Sequence, residues 1–361
     1  MIEISVLGMV SVFFAWTSKL RNNKHGLEIS FLLIFLFTAL RYNFGTDYSA
    51  YQSLFYEIFE HDTYLTLDSA DFRIEYGWLL LNYLFKPLGF FPFIFIISVF
   101  FIYTYYALIK KYVPTNYYWL AVFIYIFFFN LFLIQLSAIR QTLSISIFLF
   151  SIKYIIEGRG TLKYILLIVF ASFFHSSSLF LLFLALFNIP RIRNSSKTGY
   201  FILIIFVLLL FFGQRLTAYL PYLLTLFTGD RYTFWYESDI VSKISVMGSL
   251  LWFSLLYIVV YYSTKQTDYM KLFYNFCAIF FLVYPLTVLV FLSDRMGYYF
   301  APFTLIIFPH ILTTEQNKIK RFALSSFFII FIMYNFFRFF TLDYVVEAQG
   351  YDDYRTIFST F

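Results

Sequence analysis

The sequence predicts an all-α, polytopic integral membrane protein, and three observations carry that reading. First, 61% of the 361 residues are hydrophobic and only 13% are charged, whereas soluble domains carry about 25% charged residues. Second, the apolar residues come in runs close to the roughly 20 residues that cross about 30 Å of hydrocarbon. Third, Lys and Arg collect in patches between the runs, apart from the acidic stretches, as cytoplasmic loops do. A secreted disulfide scaffold, a disordered chain and a cytosolic dinucleotide enzyme are excluded on composition. The single cysteine, Cys277, rules out an intramolecular disulfide and a cysteine metal cluster.

The runs fall at 2–18, 27–44, 76–88, 92–109, 117–134, 136–156, 162–187, 199–213, 244–262, 272–292, 297–313 and 322–340. They amount to about 11–13 transmembrane helices, some of them broken or re-entrant. The first, Met1 to Ser18, lacks a basic leading region and a small-residue cleavage site, and reads as a retained helix. No linker, repeat or soluble module separates the runs, so residues 1–361 read as one membrane domain.

Orientation follows from the charges. Six basic patches, around Lys19, Lys110, Lys153, Arg191, Lys265 and Lys318, hold 16 of the 26 basic residues and mark the cytoplasmic side. Residues 45–75 carry seven carboxylates against Arg73, and the tail 341–361 carries four against Arg355. These two segments and the loop 214–243 are expected outside. The net charge of +6 therefore reflects membrane orientation rather than nucleic-acid binding.

Two runs break the pattern. Run 76–88 stops at Lys86-Pro87, too short to span comfortably. Run 162–187 is long, is flanked by basic patches on both sides, and has His175-Ser176-Ser177-Ser178 at its middle. Both read as broken or re-entrant helix, which is tolerated at membrane depth only around protein or a wet cavity.

Several ionisable residues stand in or beside apolar runs. Arg41 ends the second run. Arg140, beside Gln141, lies about four residues into a run read as uninterrupted helix. Arg295 separates two long runs, and Arg231 lies in the loop 214–243. An arginine near the bilayer centre costs about 2.5–3.5 kcal/mol on insertion scales. Arg140 reads either as a functional anion site or as half of a buried pair, and Arg41 and Arg295 either bind or snorkel. All four fall on the predicted outer side, and planar guanidinium forks suit phosphate oxygens. For acid–base chemistry the candidates are His175, Asp47 and Glu75. His175 also fits a hydrogen-bonded core residue. Tyr48 and its aromatic neighbours suit either sugar stacking or an interfacial belt. No His pair at i, i+4, no Gly-rich phosphate loop and no nucleophile elbow occurs. No metal and no other cofactor is expected.

The stretch Arg41-Tyr42-Asn43-Phe44-Gly45-Thr46-Asp47-Tyr48 resembles the EpsG/Wzy-type polysaccharide polymerases. So do Glu75-Tyr76-Gly77, Arg140-Gln141, Phe174-His175-Ser176-Ser177, and Arg295 with Tyr298-Tyr299, which follow in the family's order over residues 41–300. Glu-Tyr-Gly stands here in place of the expected Glu-Pro-Gly. The resemblance implies a multi-helix, GT-C-like membrane glycosyltransferase, independent of metal. It implies the joining of undecaprenyl-pyrophosphate-linked oligosaccharide repeat units on the outer face of the bacterial cytoplasmic (inner) membrane. Arg41, Arg140, Arg231, Arg295, Tyr48 and Gln141 would bind substrate; His175, Asp47 or Glu75 would act as base. A chain-length regulator is a candidate partner. A flippase for the same lipid-linked sugar and an O-antigen-ligase-like transferase stand as alternatives.

Overall fold

The computed structural model describes residues 1–20, 24–60, 75–128, 131–188, 197–217, 246–266, 269–284, 293–341, 350–351 and 353–360. Apart from one two-residue strand pairing, the described regular structure is helical. Among the described residues, four helical stretches are long and apolar enough to cross a membrane: Phe90–Tyr112, Ile139–Ile156, Arg295–Thr314 and Lys318–Thr341. Shorter apolar helices accompany them. Large apolar side chains such as Phe13, Leu32, Leu166, Phe201 and Phe322 face outward, the arrangement expected where the surrounding solvent is lipid.

The chain gathers into two compact units. The first comprises 1–154, 160–182 and 308–361. It begins with α1 (Ile2–Thr17) and α2 (Gly26–Ala39), which pack on each other. Strand β1 (Arg41–Tyr42) follows, so Arg41 stands beyond the helix it was expected to end. The expected loop 45–75 contains a helix, α3 (Tyr48–Glu60); residues 61–74 lie outside the described residues. Buried Tyr48, Tyr51 and Phe55 recur on one face of α3 at helical spacing, which is why this polar stretch is ordered against the core.

Helix α4 (Tyr76–Phe85) is about 15 Å long at 1.5 Å per residue. It ends at the Lys86-Pro87-Leu88 turn, and Gly89, at φ 89°, redirects the chain into α5 (Phe90–Tyr112). Only glycine adopts that backbone without penalty. The short run 76–88 is thus a half-length helix, as its sequence predicts.

Two runs expected to be continuous are broken. Run 117–134 divides into α6 (Tyr118–Phe127) and the start of α7 (Phe132–Ser137). Run 136–156 is interrupted at Ala138, whose φ −84° and ψ 66° leave the helical region, before α8 (Ile139–Ile156). Arg140 therefore sits in the first turn of a helix, not inside one. The physical reason is tertiary. At the α7 end the Leu136 carbonyl accepts from Arg41 and the Leu133 carbonyl from Tyr351, so distant side chains take part in pairing this turn's backbone.

The break expected in run 162–187 is present. α9 (Thr161–Ser172) stops, and a 3-10 segment runs from Ser176 to Asn188, with His175 in the connection. The first unit closes with Lys318–Thr341 and a folded-back tail. In that tail β2 (Arg355–Thr356) pairs antiparallel with β1, Arg41 opposite Thr356 and Tyr42 opposite Arg355. The second unit, 155–159 and 183–307, contains the helices Lys197–Thr217, Val246–Ser263, Met270–Val283 and Ser293–Phe300. Phe276 and Phe303 meet at 5.0 Å in its core.

Candidate functional site

The first unit brings Glu75, Arg140, Tyr51 and the His175 turn together. Tyr51 lies within α3, whereas Glu75, Arg140 and His175 are set at or beside the ends of elements. Glu75 is the residue before α4, Arg140 is the second residue of α8, and His175 follows the end of α9.

Arg140 Nη1 donates to Glu75 Oε2 at 2.6 Å, with the two side chains 24% and 17% exposed. The other oxygen of the same carboxylate accepts the Ser176 backbone N–H at 3.1 Å. Glu75 thus ties α8 to the residue that follows His175. The Tyr51 ring lies 5.9 Å from the guanidinium carbon, a cation–π distance, and Asp47 is within electrostatic range of Arg140. Arg140 Nε is buried and has no protein partner. Leaving such a donor unpaired costs about 1–3 kcal/mol; the part of Arg140 that a ligand can reach is the rest of its 24%-exposed side chain.

The turn at His175 is held from three sides. Gly77 N donates to Phe173 O at 2.8 Å, and Ser144 Oγ donates to Ala171 O at 3.2 Å. Together with Glu75, these bonds occupy backbone groups that the end of α9 releases. Gly77 is required by closeness: a Cβ there would lie 2.6 Å from the Phe173 oxygen. The Glu-Tyr-Gly element therefore combines a carboxylate clamp with a close backbone approach. His175 is 9% exposed, and its Nδ1 lies 2.6 Å from Ser177 Oγ.

Below the cluster lies an aromatic core. Trp78 is fully buried, 5.3 Å from Tyr51 and 5.2 Å from Phe93. Phe55 stacks on Phe93 at 5.8 Å. Such pairs add about 0.5–1.5 kcal/mol each beyond area burial, and they fix the base on which Tyr51 stands.

Arg41 is arranged differently. It is 2% exposed, and it donates to three carbonyls: from Nη1 to Thr38 at 2.5 Å, from Nη2 to Leu136 at 3.1 Å and from Nε to Phe44 at 3.2 Å. Tyr48 lies over it, 5.4 Å from ring centroid to guanidinium carbon, and returns a hydroxyl bond to the Arg41 carbonyl at 3.1 Å. Arg41 joins the ends of α2 and α7 through the turn 41–47. In that turn Asn43 has φ 48° and Gly45 φ 113°, and a Cβ on Gly45 would lie 2.8 Å from the Leu136 oxygen. Thr46 N donates to Ser137 Oγ at 3.0 Å.

Gln141 is buried beside Arg140 in the first turn of α8. Arg295 is an exposed residue of the second unit, near the start of Ser293–Phe300. Arg231 lies outside the described residues. Among the described residues, no group of three His, Cys, Asp or Glu side chains is placed to hold a metal ion.

The sequence reading passed over the part Tyr51 plays beside Arg140. The spacing of Tyr48, Tyr51 and Phe55 carried a helical signal within the segment read as a loop. Nothing local marked Ser137 or Tyr351, which are joined only through the fold.

A family model described as the EpsG family matches residues 27–355. No curated protein and no solved structure matches the chain.

Proposed function

The chain belongs to the EpsG family, membrane proteins of the polysaccharide-polymerase type, and on that footing we propose that it joins undecaprenyl-pyrophosphate-linked oligosaccharide repeat units. The reaction is glycosyl transfer on the outer face of the cytoplasmic membrane. The observation that carries this reading is Arg140 itself. It is a partly buried guanidinium at a helix start, 24% exposed, paired with Glu75 through Nη1 and flanked by Tyr51 and Asp47.

In the reaction, the bond between the anomeric carbon and the phosphate oxygen breaks, and a bond from an acceptor-sugar hydroxyl to that carbon forms. Negative charge grows on the departing pyrophosphate, and Arg140 offsets it with charge-assisted hydrogen bonds. Arg295 and Arg231 are the further arginines of this reading, with Gln141 beside Arg140. Arg41 and Tyr48 serve it by holding the turn that joins α2 to α7. The acceptor hydroxyl gives its proton to a base. His175 is the first choice, since a free imidazole titrates near neutral pH. Ser177 orients its ring, and Asp47 and Glu75 are the carboxylate alternatives. No nucleotide is needed, because the lipid pyrophosphate is already an activated leaving group.

The test is transfer by purified variants, given a synthetic lipid-pyrophosphate repeat unit and normalised to folded protein. His175→Ala is expected to lose on the order of 10²–10⁴-fold in turnover, the usual share of a general base, while donor binding persists. Normal turnover in His175→Ala, with inactive Asp47→Asn or Glu75→Gln, moves the base to a carboxylate. Absence of chain extension by the wild-type protein overturns the proposal. So does loss of all surface-displayed repeat units, single ones included, in a deletion strain, which marks a flippase or ligase instead.

A further inference from the structure

The tail of the first unit folds back onto the turn 41–47 and onto the end of α7, which precedes Arg140. Gly350 O accepts the Gly45 N–H at 3.0 Å, and β2 pairs with β1. Tyr354 stacks on Phe37 at 4.1 Å and donates to its carbonyl at 2.9 Å. Between these anchors Tyr351 is buried, 1% exposed, with Phe44 at 5.3 Å edge-on and Phe339 at 6.0 Å. Its hydroxyl donates to Leu133 O at 2.7 Å and is hydrogen-bonded to Ser137 Oγ. A phenol has one proton to give and lone pairs to receive. One set of directions satisfies every member: Thr46 N–H and Thr46 O–H to Ser137 Oγ, Ser137 O–H to Tyr351, Tyr351 O–H to the Leu133 carbonyl.

We propose that Tyr351 is a positioning residue for Arg140, acting through the end of α7. This rests on the reading of Arg140 as the donor-phosphate arginine. Ser137 is the last residue of α7, Ala138 is the only residue between it and α8, and Arg140 is the second residue of α8. So short a junction has no slack, and the placement of Ser137 sets the direction in which the first turn of α8 presents its guanidinium. Tyr351 holds both ends of the last turn of α7, at Leu133 and at Ser137. The tail that carries it is docked independently, through Gly350, Tyr354 and β2, so removal of one hydroxyl leaves the segment in place. Misplacement of a binding group by about 1 Å can cost on the order of 100-fold in rate.

The experiment uses the purified full chain and a lipid-pyrophosphate-linked repeat unit. Tyr351→Phe keeps the ring and deletes the hydroxyl. Ser137→Ala breaks the same chain without touching the aromatic packing, and it serves if Tyr351→Phe folds poorly. Each is expected to lower kcat/KM for the donor by about 10- to 100-fold, with KM for the acceptor and the melting temperature near wild type. Combined with Arg140→Lys, each should add much less than its effect in the wild-type background, because both act on one guanidinium. Losses that multiply fully, or unchanged donor kinetics in both Tyr351→Phe and Ser137→Ala while Arg140→Ala is inactive, overturn this proposal alone. Full activity of Arg140→Ala overturns the donor-site reading and this proposal with it.

Discussion

Arg140 and Glu75, 65 positions apart in sequence, meet at 2.6 Å, and the second oxygen of Glu75 holds the backbone of Ser176. One carboxylate thus connects the first turn of α8, the entry to α4 and the turn that carries His175. Its partner arginine keeps one buried N–H without a protein acceptor. The pair both supports the turn and leaves the Arg140 side chain 24% exposed.

If the two act as a unit, their stabilities are not additive. Arg140→Ala and Glu75→Ala singly should each lower the melting temperature more than half as much as the double variant does. Each single change strands a partly buried charge that the double change removes. Thermal unfolding in one detergent measures all four proteins. Additive shifts would show that the ion pair is incidental.

Arg41 and Arg140 should respond to Lys differently. Arg41→Lys keeps a charge but cannot reach the Thr38, Leu136 and Phe44 carbonyls together, and each charged bond lost costs about 1.5–3 kcal/mol. The expected result is sharply reduced folded protein with near-normal turnover per folded molecule. Arg140→Lys should fold and lose turnover, on the order of 10²-fold, as deletion of one oxyanion donor does. Quantitative folded yield of Arg41→Lys would refute its role as a strut.

Three glycines separate crowding from backbone conformation. Gly77→Ala places a Cβ 2.6 Å from a backbone oxygen, whereas a Cβ at Gly89 meets nothing within 4 Å. Gly89→Ala should cost about 1–3 kcal/mol for a backbone at φ 89° and ψ 172°, a region essentially reserved for glycine. Gly45→Ala carries both penalties, at φ 113° and 2.8 Å from the Leu136 oxygen, and should be the most destabilised in unfolding assays. Equal losses at Gly45 and Gly89 would mean that the close approach to α7 contributes nothing.

Orientation can be read by labelling. Cys277 is fully buried, so the background should be low. Ser53→Cys, on the exposed face of α3, is expected to react with an impermeant maleimide in spheroplasts. Ser195→Cys, in the basic stretch, should react only after permeabilisation. The reverse pattern would put Arg140 and Glu75 on the cytoplasmic side and remove the extracytoplasmic reaction.

By themselves, the residues determined the membrane class, the half-length helix at 76–85 and the break at His175. Each of these follows from local physics: apolar length, a proline stop, a polar cluster within a hydrophobic run. The pairing of basic patches with acidic stretches likewise needs no fold to be seen. The helix over Tyr48–Glu60 was legible only as a weak apolar period in polar sequence. Tertiary structure alone decided the rest. The end of α7 at Ala138 is placed by Arg41 and Tyr351, from opposite ends of the chain, which reach the carbonyls of Leu136 and Leu133. Nothing in the sequence around Ala138 announces that supply. The same holds for the arginines, alike in sequence as charges beside apolar runs. Arg41 became a strut because three carbonyls converge on it, whereas Arg140, paired with Glu75 and flanked by Tyr51 and Asp47, stayed partly exposed. Which donors find acceptors is settled by where helices end in space, and an apolar pattern does not encode that.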